Sequence, residues 1–129
     1  DDWFEVDFDD SSWKTGKGGF GSKGTPNANI GTEWETSDIW IRRTVNVDPS
    51  KAKFPVFTVH FDDSMELYVN GKKVWENGSR TLDYEDVPFN QAAKEAFKPG
   101  ENVIAIHAHE LGGDQYVDWG IGDLDFEAQ

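Results

Sequence analysis

From Asp38 to Val47 the chain places Ile39, Ile41, Val45 and Val47 on one side of a period-two pattern, with Trp40, Arg42, Thr44 and Asn46 on the other. That alternation predicts a strand with one apolar and one polar face. It returns from Phe54 to Asp62, where Phe57, Val59 and Phe61 turn one way and Thr58, His60 and Asp62 the other. Met65, Leu67 and Val69 then alternate with Glu66, Tyr68 and Asn70, and Asn70-Gly71 leads into Lys72–Trp75. An Asn-Gly pair suits the positive φ angles of a type I′ turn, so this stretch is predicted as a tight hairpin. Between Glu101 and Leu111, Ile104, Ile106 and Ala108 share a face opposite Val103, Ala105, His107 and His109. After the turn Gly112-Gly113-Asp114, the stretch from Tyr116 to Gly122 sends Val117, Trp119 and Ile121 inward and Tyr116 and Asp118 outward. Leu124-Asp125-Phe126 is expected to close a sheet against an N-terminal strand, Trp3–Phe8.

One segment reads as helix, near residues 90–97. Asn90 is its cap and Pro99-Gly100 its stop. Residues 16–31 (GKGGFGSKGTPNANIG) form the one long irregular stretch, and loops of that length in compact domains are usually functional or mobile. Short regular strands without alternating helices imply an all-β, antiparallel sandwich.

The chain has 129 residues, which fits one domain, and no repeat or linker divides it. Its apolar share is only 36% and its net charge −13, a combination seen in disordered chains, yet 14% of its residues are aromatic and disordered segments are poor in these. Order is therefore expected. The acidity argues against a phosphate-tracking nucleic-acid binder and against docking on an anionic membrane. There is no cysteine, which excludes disulfides, thiolate metal sites and cysteine nucleophiles. No apolar run is long enough to cross a membrane, so no membrane insertion is expected. The first residue is Asp1 and not Met, the mark of a processed chain or an excised piece.

Several strings carry a resemblance when taken in order. Phe8-Asp9-Asp10-Ser11-Ser12-Trp13-Lys14 is followed by Gly18-Gly19-Phe20-Gly21, then by Asp38-Ile39-Trp40-Ile41-Arg42-Arg43. Next come Phe61-Asp62-Asp63-Ser64-Met65-Glu66-Leu67-Tyr68-Val69-Asn70-Gly71 and Lys98-Pro99-Gly100-Glu101-Asn102-Val103-Ile104-Ala105-Ile106-His107. Over nearly the whole chain this resembles galactose-binding-like jelly-roll modules, the sugar-binding or accessory domains of exported bacterial hydrolases. The likeness extends to modules of β-galactosidase-type glycoside hydrolases and of glutaminase-like and phosphoesterase-like enzymes. It implies a jelly-roll sandwich, an extracytoplasmic location, and a non-catalytic role beside a neighbouring catalytic domain. Relatives of this kind bind sugars or act as spacers, and some hold a structural calcium ion. The motifs also have local reasons: short polar side chains in 9–12 turn the chain, and Trp13 plugs the sandwich edge.

Sugar recognition needs flat apolar surfaces for the C–H face of a pyranose, and fixed polar groups for its hydroxyls. Trp34, Trp40 and Tyr116 supply the first; Arg42, His107, His109 and Asp118 supply the second. If their strands were neighbours, their outward side chains would form one patch. The alternative is that these aromatics pack beneath the 16–31 loop and only stabilise it. His107-Ala108-His109 puts two imidazoles on one strand face, a spacing zinc sites use, with Asp118 or Glu110 as a further ligand; hydrogen-bonded histidines are the simpler expectation. Calcium, which the resemblance implies for some modules, prefers oxygen ligands such as Asp7, Asp9 and Asp10; Asp62 and Asp63 add to this supply, although no EF-hand spacing is present. With 25 acidic residues a carboxylate pair at glycosidase spacing arises by chance, no serine sits in a nucleophile elbow, and the glycine-rich loop lacks the ending that cradles phosphate. The expected chain is thus a non-enzymatic module that binds carbohydrate, or one that packs against a catalytic domain with no ligand of its own.

Overall fold

In the computed structural model of the protein, the described residues are 3–22, 30–48, 51–52, 54–62, 64–78, 81, 83–110 and 115–123. Nine strands and one helix follow in chain order: β1 Phe20–Gly21, β2 Thr32–Glu33, β3 Asp38–Val47, β4 Pro55–Asp62, β5 Ser64–Val69, β6 Lys72–Asn77, β7 Glu85–Pro88, α1 Gln91–Ala96, β8 Gly100–His109 and β9 Tyr116–Asp123. They build two sheets, one in the order β2-β1-β9-β4-β7 and the other β3-β8-β5-β6. All pairings are antiparallel except the short β1–β2 pair. This is the all-β sandwich that the alternation predicts.

The two inner faces meet through Phe57, Val59, Phe61 and Val117 from one sheet and Met65, Leu67, Ile104 and Ile106 from the other. A fully buried side chain such as Leu67 or Phe61 contributes about 1.5–3 kcal/mol through the water it sheds. Asn70 (φ 50°) and Gly71 (φ 84°) turn the β5–β6 hairpin as a type I′ turn requires. A bulge beside Leu67 and Tyr68 shifts the register within β6, and Val74 is buried with Trp75 half-buried against the core.

The two lateral edges of the sandwich are closed differently. On the β6 side, α1 seals the gap: Asn90 Oδ1 accepts from Ala93 N at 2.8 Å as the cap, and Asn90 Nδ2 donates to Val74 O at 2.6 Å. Phe57, Phe89 and Phe97 stack beneath the helix, with centroids 4.4 Å apart for the first pair and 5.1 Å for Phe89–Phe97. Asn102, fully buried, ties this region to the hairpin through four bonds, two accepted by Oδ1 and two donated by Nδ2. On the other side, the edge strands β2 and β3 stand apart, with no helix between them among the described residues.

Three expectations are corrected. Residues 3–8 are turns, not a strand, because the carbonyls of Trp3, Glu5 and Phe8 accept from the Arg42 side chain instead of from a neighbouring strand. The 16–31 stretch is not wholly irregular: it contains the short strand β1 and runs directly into β2, and Gly31 is needed there because a Cβ would overlap the Gly18 carbonyl oxygen. A further strand, β7, occupies the sheet edge, where Pro88 needs no ladder donor. The 112–114 turn and the 124–126 segment lie outside the described residues.

Candidate functional site

The open edge between β2 and β3 carries a cleft of about 1110 Å³. Four of the six tryptophans line it: Trp3, Trp13, Trp34 and Trp40. Trp34 fills the gap between the sheets at 4% exposure, with its indole donating to Thr36 Oγ1 at 3.1 Å. Trp13 packs edge-on against Phe8, centroids 5.7 Å apart. Trp40 stands on the outer face of β3, 47% exposed, and stacks nearly parallel on His107 at 5.1 Å. Asp10, Lys14, Glu33 and Glu35 add polar groups to the walls.

Arg42 does not offer its guanidinium to a ligand. Its side chain is 5% exposed; Nε donates to Asp10 Oδ2 at 2.8 Å, and Nη1 donates to the carbonyls of Trp3 (2.6 Å) and Glu5 (2.9 Å). Nη2 reaches Phe8 O at 3.4 Å, and the guanidinium lies over the Phe8 ring at 5.3 Å. The N-terminal segment is thereby strapped across the outer face of the four-stranded sheet. There Phe4 stacks on Tyr68 at 4.4 Å, and Trp3 meets Tyr68 and His107 edge-on. Among the described residues, the strap covers this face.

Beside Trp40 the same face carries a row of alternating basic and acidic groups. Lys73 Nζ meets Glu66 Oε2 at 2.8 Å, Glu66 Oε1 meets His107 Nδ1 at 2.8 Å, His107 Nε2 meets Asp38 Oδ1 at 2.7 Å, and His109 Nδ1 meets the same oxygen at 2.8 Å. Ionised carboxylates only accept, so His107 makes both bonds only when both ring nitrogens carry hydrogen. Hydrogen bonds from His107, then His109, hold the Asp38 carboxyl below its ordinary range. Burial pushes the Glu66 carboxyl up, but hydrogen bonds from Lys73 and His107 outweigh it and bring it below its ordinary value. Glu66 and Glu76 in turn raise the Lys73 ammonium. The two histidines are thus the hydrogen-bonded pair of the simpler expectation, and they fix the ring under Trp40.

Tyr116 and Asp118 do not join this patch. Strand β9 pairs with β1 and β4, in the opposite sheet, so their outward side chains lie on the opposite outer face. Tyr116 is also fully buried. Its hydroxyl lies 2.6 Å from Tyr84 Oη, which donates to Asp118 Oδ2 at 2.6 Å. His60 packs edge-on between these two tyrosine rings, and burial pushes its imidazole pKa down. Trp34 likewise serves the interior first, leaving a small surface toward the cleft.

Among the described residues no three His, Asp or Glu side chains gather as a metal site. Asp7 is exposed, Asp9 Oδ1 accepts from Ser11 N at 3.0 Å, and Asp10 is already paired with Arg42. A guanidinium beside Asp10 repels a cation, so this set does not fit calcium. Asp118 lies in the opposite sheet from the two histidines, which removes it from a zinc set with them.

No known protein family matches the chain, and no curated protein matches it by sequence. Solved structures similar to it belong to much longer glycoside hydrolases. A calcium-binding mutant of Bacteroides uniformis β-glucuronidase 2 matches over 91% of this chain and 16% of its own, at 14% identity and TM-score 0.51. The α-L-rhamnosidase of Streptomyces avermitilis matches over 66% of this chain and 8% of its own, at 16% identity and TM-score 0.47. Ruminococcus gnavus β-glucuronidase matches over 57% and 12%, at 13% identity and TM-score 0.43. At these identities the likeness concerns the fold, and this chain spans less than a fifth of each of those proteins. No helix among the described residues is long and apolar enough to cross a membrane.

Proposed function

We propose that the chain is a galactose-binding-like jelly-roll module, a single domain that accompanies the catalytic domain of a larger, exported bacterial glycoside hydrolase and binds carbohydrate without catalysing its cleavage. The observation that carries this reading is Trp40: a large aromatic, half in solvent, braced from behind by His107 and opening onto a cleft that three more tryptophans line. An exposed indole of fixed orientation is the surface on which a pyranose stacks, and Lys14, Glu33 and Glu35 are placed to meet hydroxyls. The module would raise the local concentration of substrate near a tethered active site. The likeness to the Bacteroides uniformis β-glucuronidase supports the placement beside such an enzyme through fold alone.

A second reading, a packing module with no ligand, rests on the same exposed indole, which a neighbouring domain would cover. The substitution Trp40→Leu separates the two. Leucine keeps contact with His107 but removes the stacking surface. Retardation of the chain in gels cast with soluble polysaccharides should disappear in the variant, while its melting temperature falls by only a few degrees. Retardation that is absent in the unaltered chain, or unchanged in the variant, would leave the packing reading standing.

A further inference from the structure

A second cavity, about 440 Å³, adjoins the tryptophan cleft along β3 and shares Thr15, Gly16, Phe20 and Ile41 with it. Its chemistry is different. Ile41, Ile104, Ile106 and Val117 from the two sheets give it an apolar floor, and Arg43 lines it as well. The parity of β3 gives Arg43 the same side as Ile39, Ile41, Val45 and Val47, so a cation occupies a place where the alternation calls for a core side chain. The Arg43 side chain makes no hydrogen bond or ion pair with the described residues, its backbone being paired opposite Ile104. Its neighbour Arg42 borders the cavity too, but its guanidinium is committed to the strap. Trp119 lines the cavity from the opposite sheet, and its buried Nε1–H has no acceptor among the described residues.

Two donor groups that meet no acceptor among the described residues, one of them cationic, thus border a pocket whose floor is hydrocarbon. Arginine and indole donate and do not accept. The one acid in the lining, Asp118, has Oδ2 engaged by Tyr84 and Oδ1 engaged by the Trp119 backbone N–H at 3.0 Å. Two donors serve only part of a pyranose's ring of hydroxyls, and the rest would lose water against the isoleucines, which makes a second pyranose a poor occupant. We infer that this cavity is a binding site for a compact apolar carboxylate, an aryl or branched-alkyl acid whose carboxylate pairs with Arg43 and whose hydrocarbon part lies on Ile41, Ile104 and Val117. The site stands apart from the carbohydrate reading and does not depend on it.

The test is a titration of the isotope-labelled full chain with benzoate, followed through the Trp119 indole and Arg43 side-chain resonances, with benzamide and glucuronate run alongside. A ligand of this size in a partly open pocket should bind with a Kd of about 1 mM. Benzoate should shift both resonances saturably, and Arg43→Gln should weaken it roughly tenfold to a hundredfold, the loss of a charge-assisted bond. Arg43 is exposed, so the substitution leaves the core intact. Benzamide and glucuronate should each bind at least tenfold more weakly, one lacking the charge and the other the apolar body. Absence of saturation by about 20 mM would overturn the proposal. So would benzoate affinity that survives Arg43→Gln, or equal binding of either control.

Discussion

Replacing Arg42 with methionine removes the guanidinium while retaining an unbranched apolar stem, and so isolates the clasp on the N-terminal strap. Two short bonds to the carbonyls of Trp3 and Glu5 are lost, with the ion pair to Asp10 and a long contact to Phe8 O. Each charge-assisted carbonyl bond is worth about 1–1.5 kcal/mol here, since the freed carbonyls regain water. The ion pair adds less than about 1 kcal/mol, because Asp10 is 46% exposed. The sum is about 3 kcal/mol. For a chain of this length each kcal/mol moves the melting temperature by roughly 3–5 °C, so Arg42→Met should lower it by about 9–15 °C. Asp10→Asn should lower it by less than about 4 °C. Amide hydrogen exchange adds the location: residues 3–10 should lose protection in Arg42→Met, and β5 and β8, under the strap, should lose it next. A variant that melts within about 2 °C of the unaltered chain, with residues 3–10 still protected, would refute the clasp.

Two further outcomes follow from polar groups that the fold engages in hydrogen bonds. Asp38 and Glu66 are held below their ordinary values, so between the folded and unfolded pKa the unfolded chain binds more protons. Their contribution to stability is full above about pH 5 and is lost as pH falls through about 4 and below. Melting temperatures of the double variant Asp38→Asn, Glu66→Gln should therefore converge on those of the unaltered chain as pH is lowered from 6 toward 3; a constant gap would contradict the assignment. Asn102→Ala removes a fully buried amide that makes four hydrogen bonds and strands Lys98 N among its partners. It should cost about 3 kcal/mol in urea denaturation, read as a lower midpoint at unchanged slope.

The fold was legible wherever a local pattern dictates structure. Period-two alternation located β3, β4, β5, β8 and β9, the Asn70-Gly71 pair its hairpin, and Asn90 with Pro99-Gly100 the helix. Pattern alone does not say which sheet a strand joins. Tyr116 and Asp118 point outward as their parity requires, yet β9 pairs with β4 across the sandwich from β8, and the single patch divides into two on opposite faces. Strand β7 carries no such pattern, because Glu85, Asp86 and Pro88 are poor strand formers that an edge tolerates. The N-terminal segment alternates like a strand, but no sequence rule foretells that an arginine 34 to 39 residues away will take its carbonyls. Of the candidate site, Trp40 was legible as an outward aromatic. Trp3 and Trp13 join it only through the strap, and Arg43 gains its meaning from the apolar cavity beside it, which strands of both sheets build.

The claim on which the functional reading rests is that the open edge between β2 and β3 is the recognition surface. Its most direct measurement uses the six indole N–H resonances, from Trp3, Trp13, Trp34, Trp40, Trp75 and Trp119, during titration with neutral oligosaccharides of glucose, xylose and galactose. The account predicts saturable shifts at Trp40 and at its cleft neighbours Trp3 and Trp13, while Trp75, packed on Phe61 at the closed edge, stays still. Shifts confined to Trp75 and Trp119, or none at all with any of the oligosaccharides, would contradict it.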